Sequence, residues 1–266
     1  MRLRLLAAVP GIWFVFLFAI GFAAAAAEIK VLSALAMKPV MEDLGPKFDR
    51  ATGHKLAITF ATVGEAVKRV QGGESVDVAV LPQQGIDSFV KNGKAAAANV
   101  IVVATSGNGV AVRKGAPKPD ISSPEALKRA LLAAKSFTYT PTTFGGTSGP
   151  HVVKVLERLG IADEMKSKTI FPKTAGGAAV GALIASGEAE IGIQQIQELI
   201  PVAGIEVVGP LPGDLQNNLV FQATVMAGAK DPEASKALVD FLRTPEAARV
   251  IKAKGMEPAT GLVEVK

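Results

Sequence analysis

A chain of 266 residues with 49% hydrophobic side chains is long enough to bury a sizeable core in one or two domains. It has no cysteine, which excludes disulfides, thiolate metal sites and cysteine nucleophiles, and its only imidazoles are His54 and His151. The formal charge of +5 is scattered, without basic stripes or aromatic stacking platforms, so a nucleic-acid partner is excluded.

Residues 1–27 read as a signal peptide. Arg2 and Arg4 precede an apolar run from Leu5 to Phe22, and Ala23 to Ala27 follow, with Ala25 and Ala27 fitting the small-residue cleavage rule. The rival reading is an uncleaved membrane anchor, because the stretch from Gly11 to Ala27 is long and apolar. An alanine run stands where a basic stop-transfer flank would be needed, which favours cleavage and a periplasmic protein. With no cysteine near the cut, a lipoprotein anchor is excluded. Removing Arg2 and Arg4 leaves 27 basic against 24 acidic side chains, a net +3.

From Glu28 the chain alternates strands and helices, which points to an α/β fold. Ile29 to Leu32 is a strand and Met37 to Arg50 a helix, with Val40, Leu44 and Phe48 as its buried stripe and Gly53 as its stop. Ser33 and Ala34 lie between them, at the carboxyl end of a strand, where open α/β sheets bind ligands. Lys55 to Phe60 is the second strand, and Ala61, Thr62, Val63 and Gly64 form its loop. A hydroxyl in such a loop serves either as a helix N-cap or as a ligand donor, and its recurrence at successive strand ends favours the second role. Val76 to Leu81 is a continuous apolar strand, as a buried parallel strand should be. Two strand-like pieces, Val100 to Ala104 and Val110 to Arg113, flank a linker from Thr105 to Gly109, and the Pro- and Gly-rich RKGAPKPD reads as a crossing into a second lobe.

That lobe opens with Ser123, Pro124 and Glu125, a cap, a proline and an acid in the order that starts a helix. Its central stretch is YTPTTFGGTSGPHVVKVLERLG, Tyr139 to Gly160. Val152, Val155, Leu156 and Leu159 recur at helical spacing, so a helix begins near Ser148 or Gly149 and leaves Thr147, Ser148 and free backbone N–H groups outward, where the positive helix end suits an oxyanion. The same glycines would also serve a plain turn. The stretch lacks the Lys-Ser/Thr ending of a phosphate-binding loop, and no dinucleotide fingerprint occurs elsewhere, so no nucleotide is expected. A helix over Gly176 to Ser186 and a strand over Ala189 to Ile193 follow, with Gln194 and Gln195 at the strand's carboxyl end. Ile205 to Val208 is a strand, GPLPGDLQ reads as the return crossing, and Leu219 to Met226 as a strand spanning a hinge. Two helices announced by Asp231-Pro232-Glu233 and Thr244-Pro245-Glu246 close the chain.

Five stretches, VLSALAMKPVMEDLGPKFDRATGHKL, FATVGEAVKRVQGGESVDVAVL, TFGGTSGPHVVKVLERLGI, ALIASGEAEIGIQQIQELIP and DFLRTPEAARVIKAKG, together resemble the periplasmic molybdate-binding proteins of ABC transporters and their type II solute-binding relatives. The resemblance implies a two-lobed type II periplasmic-binding fold, each lobe a mainly parallel sheet flanked by helices, with the ligand in the cleft between them. It implies lobe 1 at residues 28–108 plus 209–266 and lobe 2 at 109–208, a hinge motion on closure, a monomer without cofactor, and an ABC permease of the inner membrane as partner. By the same resemblance Ser33 matches the family's first serine, and Thr62 stands where a second serine is usual. Ser148 or Gly149 would supply the contact at one helix start, and Gly177 or Ala178 at the next. Gln195 falls where the molybdate binders have a tyrosine, which opens the choice to other anions. The ligand-contact set implied by residues and resemblance together is Ser33, Ala34, Thr62, Val63, Thr147, Ser148, Gly149, Gly177, Gln194 and Gln195.

Such neutral donors can hold a small anion, an oxyanion like molybdate or an organic acid, because aimed N–H and O–H dipoles stabilise charge without a counter-ion. His151 near a helix start and Arg113 are further candidates, each equally explained as a solvated side chain. The expected function is therefore non-enzymatic capture of a small anion for a permease. One alternative is a secreted hydrolase with Ser148 as nucleophile and His151 as base, although GTSG is not a nucleophile elbow. The other is an orphan sensory receptor with no permease. The scattered acids provide no metal cluster.

Overall fold

Short runs of β-branched and aliphatic residues form two sheets in the computed structural model, which describes residues 26–259. The expected signal peptide therefore lies outside the described residues except for Ala26 and Ala27. In chain order the first elements are β1 (Glu28–Ala34), α1 (Lys38–Thr52), β2 (Lys55–Ala61), α2 (Val63–Gln71), β3 (Val78–Pro82), α3 (Gln83–Lys91) and β4 (Ile101–Ser106). Then come β5 (Asn108–Arg113), α4 (Pro124–Ala133), β6 (Phe137–Thr138), α5 (Ser148–Arg158), α6 (Ala162–Lys166), α7 (Gly177–Ser186), β7 (Ile191–Gln195), α8 (Ile196–Leu199) and β8 (Ile205–Pro210). The chain closes with β9 (Leu219–Val225), α9 (Pro232–Phe241), α10 (Pro245–Ala253) and β10 (Glu257–Pro258). Helices flank both sheets, giving the two-lobed α/β arrangement that the alternation of periodicities implies.

The first sheet has the strand order β10-β4-β9-β3-β1-β2, and the second β6-β7-β5-β8. The expectation of mainly parallel sheets is corrected in part. β1 pairs in parallel with β2 and β3, and β6 with β7, but β9 is antiparallel to both β3 and β4, and β5 to both β7 and β8. The reason is where the chain changes sheet. β5 and β9 each begin directly after a crossing, so they run away from the cleft, whereas β1, β2, β3, β4, β6, β7 and β8 run toward it. Their carboxyl ends, and the loops that follow, therefore gather on one side.

The first crossing is shorter than the linker expected over Thr105 to Gly109. Thr105 and Ser106 are in β4, Asn108 and Gly109 in β5, and Gly107 stands alone between them. The side-chain amide of Gln216, from the return segment, accepts from Asn108 N–H at 2.9 Å and donates to Asn108 C=O at 2.8 Å. It thus stands in for a strand neighbour and keeps the backbone extended. RKGAPKPD is consequently not the crossing, because β5 is already paired within the second sheet ahead of it. β9 likewise spans no hinge and lies wholly in the first sheet.

The core of the first sheet packs Leu32, Val78 and Phe221 from the strands against Met41, Phe48, Leu238 and Ile251 from the helices, all at 1% exposure or less. Val110, Ile193, Leu127 and Val152 play that part around the second sheet. Local signals set the helix ends as expected: Ser123, Asp231 and Thr244 each accept the N–H three residues on, and Gly53 ends α1 at φ 78°. Thr244 both accepts from Ala247 N–H at 3.2 Å and donates to Phe241 C=O at 2.8 Å. Thr244→Ala removes both bonds at a site 7% exposed. The expected cost is about 1–2 kcal/mol, read as a lower denaturation midpoint with unchanged slope.

Candidate ligand-binding cleft

The strand ends that gather between the sheets enclose a small cavity of about 40 Å³, lined by Ala34–Ala36, Ala61–Val63, Pro82, Thr140, Gly146–Ser148, Ala175, Gly176, Gln194, Gln195 and Glu198. A single water needs about 10–15 Å³ on this measure, so the cavity has room for about three waters, or for one anionic group of a ligand. Three helix starts, those of α2, α5 and α7, meet its walls. First-turn N–H groups have no partner within their own helix, so these starts bring partial positive charge to the walls, with the Gly64 N–H of α2 held by Gly145 C=O and the Gly177 N–H of α7 by Glu198.

Each start is built differently. Thr62 caps α2, its hydroxyl accepting from Glu65 N–H at 3.4 Å, so the capping role and the cavity-lining position coincide in one residue. Thr147 occupies the N-cap position of α5 without capping it; its hydroxyl instead accepts from Gln195 Nε2 at 3.0 Å. The Thr147 proton is then left to donate elsewhere. Ser148, 5% exposed, lines the cavity with no partner for its hydroxyl among the described residues. At α7 the chain turns through Gly176 at φ 100°, which favours glycine, and the first helical N–H, that of Gly177, donates to Glu198 Oε2 at 2.7 Å.

The glutamines form the floor. Gln194 Nε2 donates to Thr140 Oγ1 at 2.7 Å and its Oε1 accepts from Gln195 N–H. Gln195 Oε1 accepts from Gln197 Nε2 at 2.7 Å, and Gln197 in turn reaches Ala36 C=O and the Ser106 hydroxyl. This chain of amides links the cavity to the end of β4 beside the crossing. At the mouth, Gly64 N–H at the start of α2 donates to Gly145 C=O of the loop before α5 at 3.1 Å, closing one lobe on the other.

Seven of the ten sequence-implied residues, Ala34, Thr62, Val63, Thr147, Ser148, Gln194 and Gln195, thus surround one cavity. The other three stand behind it. Ser33 is fully buried inside β1, its hydroxyl turned to Ala34 C=O. Gly149 is packed under the Thr140–Thr142 backbone, where a Cβ would lie 2.3 Å from Thr140 O. Gly177 backs onto Glu198, where a Cβ would lie 2.3 Å from the Glu198 Cβ. Of the further candidates, exposed Arg113 lines a separate hollow with Pro117 and Gly187. His151 Nε2 lies 2.9 Å from Leu215 C=O, and as a carbonyl can only accept, that nitrogen carries the proton. His151 is therefore turned away from Ser148, and burial holds its pKa below the usual histidine value. A Ser148–His151 pair of the hydrolase kind is not formed.

Glu198 is the residue that sequence reasoning missed. It is 8% exposed and the only ionisable side chain among the lining residues. Burial pushes its pKa up to about 7, partly offset by the Gly177 N–H. The signal was an acid inside the apolar run IQELIP, on the single turn of α8 directly after a strand end. Among the described residues no cluster of three or more His, Asp and Glu side chains is placed to hold a metal ion. The arrangement can therefore hold a small polar solute by backbone and neutral side-chain donors, beside one carboxyl group.

The sequence model of the bacterial extracellular solute-binding proteins matches residues 29–257. An aconitate isomerase of a Pseudomonas species is 31% identical over 237 residues, covering 86% of this chain and 87% of that protein. The molybdate-binding protein ModA of Azotobacter vinelandii is 29% identical over 238 residues, 88% of this chain and 91% of that protein. Among solved structures, the Azotobacter vinelandii periplasmic molybdate-binding protein superposes with a TM-score of 0.71 at 18% identity, over 90% of this chain and all of that one. Two lobes joined by crossings, strand ends facing a shared cavity, and a match along nearly the whole described chain agree, and the chain belongs to the bacterial extracellular solute-binding protein family.

Proposed function

We propose that this protein captures a small anion in the cleft and presents it to an ABC permease, without chemistry of its own. The observation that carries the reading is the convergence of three helix starts, with Thr62, Thr147 and Ser148, on a cavity whose walls hold no cation among the described residues. Partial positive charge from the helix ends and hydroxyl donors then stabilises an anion in place of Arg or Lys. The leader read in residues 1–27 supports export to the periplasm. Lobes at 28–108 plus 209–266 and at 109–208 would open about Gly107 and the return segment before β9, with the Gly64–Gly145 bond as the contact broken on opening.

Among anions, Glu198 favours those whose oxygens bring no proton of their own, because a protonated carboxyl group can donate to them. Organic carboxylates are put first because the 31%-identical Pseudomonas relative is named for an organic acid. The test is thermal denaturation of the exported chain with molybdate, tungstate, sulfate, phosphate, citrate and trans-aconitate. A ligand at about 100 times its Kd adds about 2.7 kcal/mol, an unmistakable rise in Tm. Carboxylate responses with molybdate silent support the organic-acid assignment; no response at all removes the anion reading.

A second reading rests on the same carboxyl group. Glu198 faces the cavity with a pKa near neutrality, as a proton-transfer group would, and the Pseudomonas relative is named for an isomerisation of an organic acid. Incubation with trans-aconitate, followed by proton NMR, decides it: conversion to the cis isomer that Glu198→Gln abolishes would make the protein an enzyme.

A further inference from the structure

We propose that Glu198 makes capture proton-coupled: on binding, its free carboxyl oxygen takes up one proton and donates it in a hydrogen bond to an oxygen of the bound anion. The inference rests on the anion reading above and deepens it by assigning the contact that selects the ligand.

The geometry leaves Glu198 one role for each oxygen. Oε2 accepts the Gly177 N–H at 2.7 Å, and Oε1 has no protein partner among the described residues while the side chain lines the cavity at 8% exposure. A neutral carboxyl group fits this seat: its carbonyl oxygen takes the N–H and its O–H is left for the ligand. An ionised one offers only acceptors, and an anion's oxygens are acceptors too, so the pair would be mismatched as well as mutually repelled in a buried site.

No other charge among the described residues resolves the conflict. α8, which carries Glu198, packs against α7, β5, β7, β8 and the Leu35–Met37 turn. α7, β7 and that turn carry no charged residue, Arg113 at the end of β5 is exposed beside the separate hollow, and Glu206 on β8 is paired with Lys118 at 3.8 Å. The raised pKa of Glu198 arises accordingly from burial, opposed only by the Gly177 N–H. Of the histidines, His151 is held by Leu215 C=O and His54 Nδ1 by Ala27 N–H, both outside the cavity lining. The proton entering the site comes from solvent, and by neutralising Glu198 it offsets one unit of the bound anion's charge.

The consequence is a preference for ligands whose contacting oxygen is a pure acceptor, such as a carboxylate, over hydrogen-oxyanions that bring their own proton. Calorimetric titration of the exported chain with citrate, and in parallel with molybdate and phosphate, in two buffers of different ionisation enthalpy measures the protons taken up. At pH roughly 8, uptake approaching one proton per bound citrate is expected, and Kd should weaken toward tenfold per pH unit between roughly pH 7.5 and 9. Glu198→Gln should lose both the uptake and the slope, and the wild-type uptake stands as evidence even if that variant folds poorly. Binding without proton uptake, or with the same slope in the variant, overturns this inference and leaves the anion reading intact. Failure of the wild-type chain to bind any of the three probes at any pH overturns both.

Discussion

Gly149→Ala is expected to destabilise the protein by about 3 kcal/mol or more and to weaken anion binding at least tenfold. Two effects compete at this position. Alanine is the better helix former, by about 1 kcal/mol, and Gly149 is the second residue of α5. Against that, the new methyl group would lie 2.3 Å from Thr140 O and 3.2 Å from both Pro141 C and Thr142 N. All three are backbone atoms, which cannot swing aside as a side-chain end would. Ordinary overpacking costs about 1–3 kcal/mol, and a contact this short belongs at or beyond the top of that range, so the clash wins. Relief requires the start of α5 to move off the Thr140–Thr142 segment, which carries Thr147 and Ser148 away from Gln195 and opens the cavity. Tm should fall by about 6–12 °C for a chain of this size. Gly146→Ala is the control: it lies three residues away on the same loop with nothing within 4 Å of the place its methyl group would take, so its stability should stay within about 0.5 kcal/mol. Equal stability of the two variants would show that the α5 start is not seated where the Gly149 contact requires.

That contrast also shows where sequence reasoning reaches and where it stops. The caps at Ser123, Asp231 and Thr244 and the stop at Gly53 were legible because each bond joins residues three or four apart, and the chemistry is contained in a few letters. Thr62, Thr147, Ser148 and the glutamine pair were legible as residues at strand ends, since parallel β/α units turn those ends to one side. Ser33, Gly149 and Gly177 share the same local pattern, yet the structure sets them one layer behind the cavity. Pattern alone does not separate a wall from what supports it. The implied boundary at 108/109 falls beside Gly107, but that the crossing is a single residue was not legible, because it depends on the Gln216 amide, 108 residues from the Asn108 backbone it holds. Glu198 was missed for the same reason: its burial is created by α7 and by Gly177, 21 residues earlier, and a lone acid in an apolar run carries no local sign of that enclosure.

Glu198 should also be visible without any ligand, in how stability depends on pH. Its folded pKa is about 7 against an ordinary 4.5, so between these values the folded protein holds a proton that the unfolded chain has lost. Stability is then fully present below pH 4.5, falls as pH rises, and levels off above 7. The difference between these two values corresponds to about 3 kcal/mol, and at 8% exposure little solvent screening reduces it. Glu198→Gln keeps an acceptor for the Gly177 N–H and removes the titration, so the variant should be the more stable protein at pH 8 by about 3 kcal/mol and should show no fall over this window. Other groups act elsewhere or with the opposite sign. Glu74, its pKa lowered by Arg69, loses its contribution only as pH drops below the carboxylate range. His151, disfavoured as a cation by burial, makes stability rise with pH up to about its ordinary 6.5. The difference between wild type and Glu198→Gln, measured by urea denaturation from pH 5 to 8, therefore isolates one carboxyl group. Parallel curves would mean that Glu198 is solvated or ionised in the folded protein. A widening gap would place a neutral acid in the wall of the cavity, which is the condition that both proton-coupled capture and proton-transfer chemistry require.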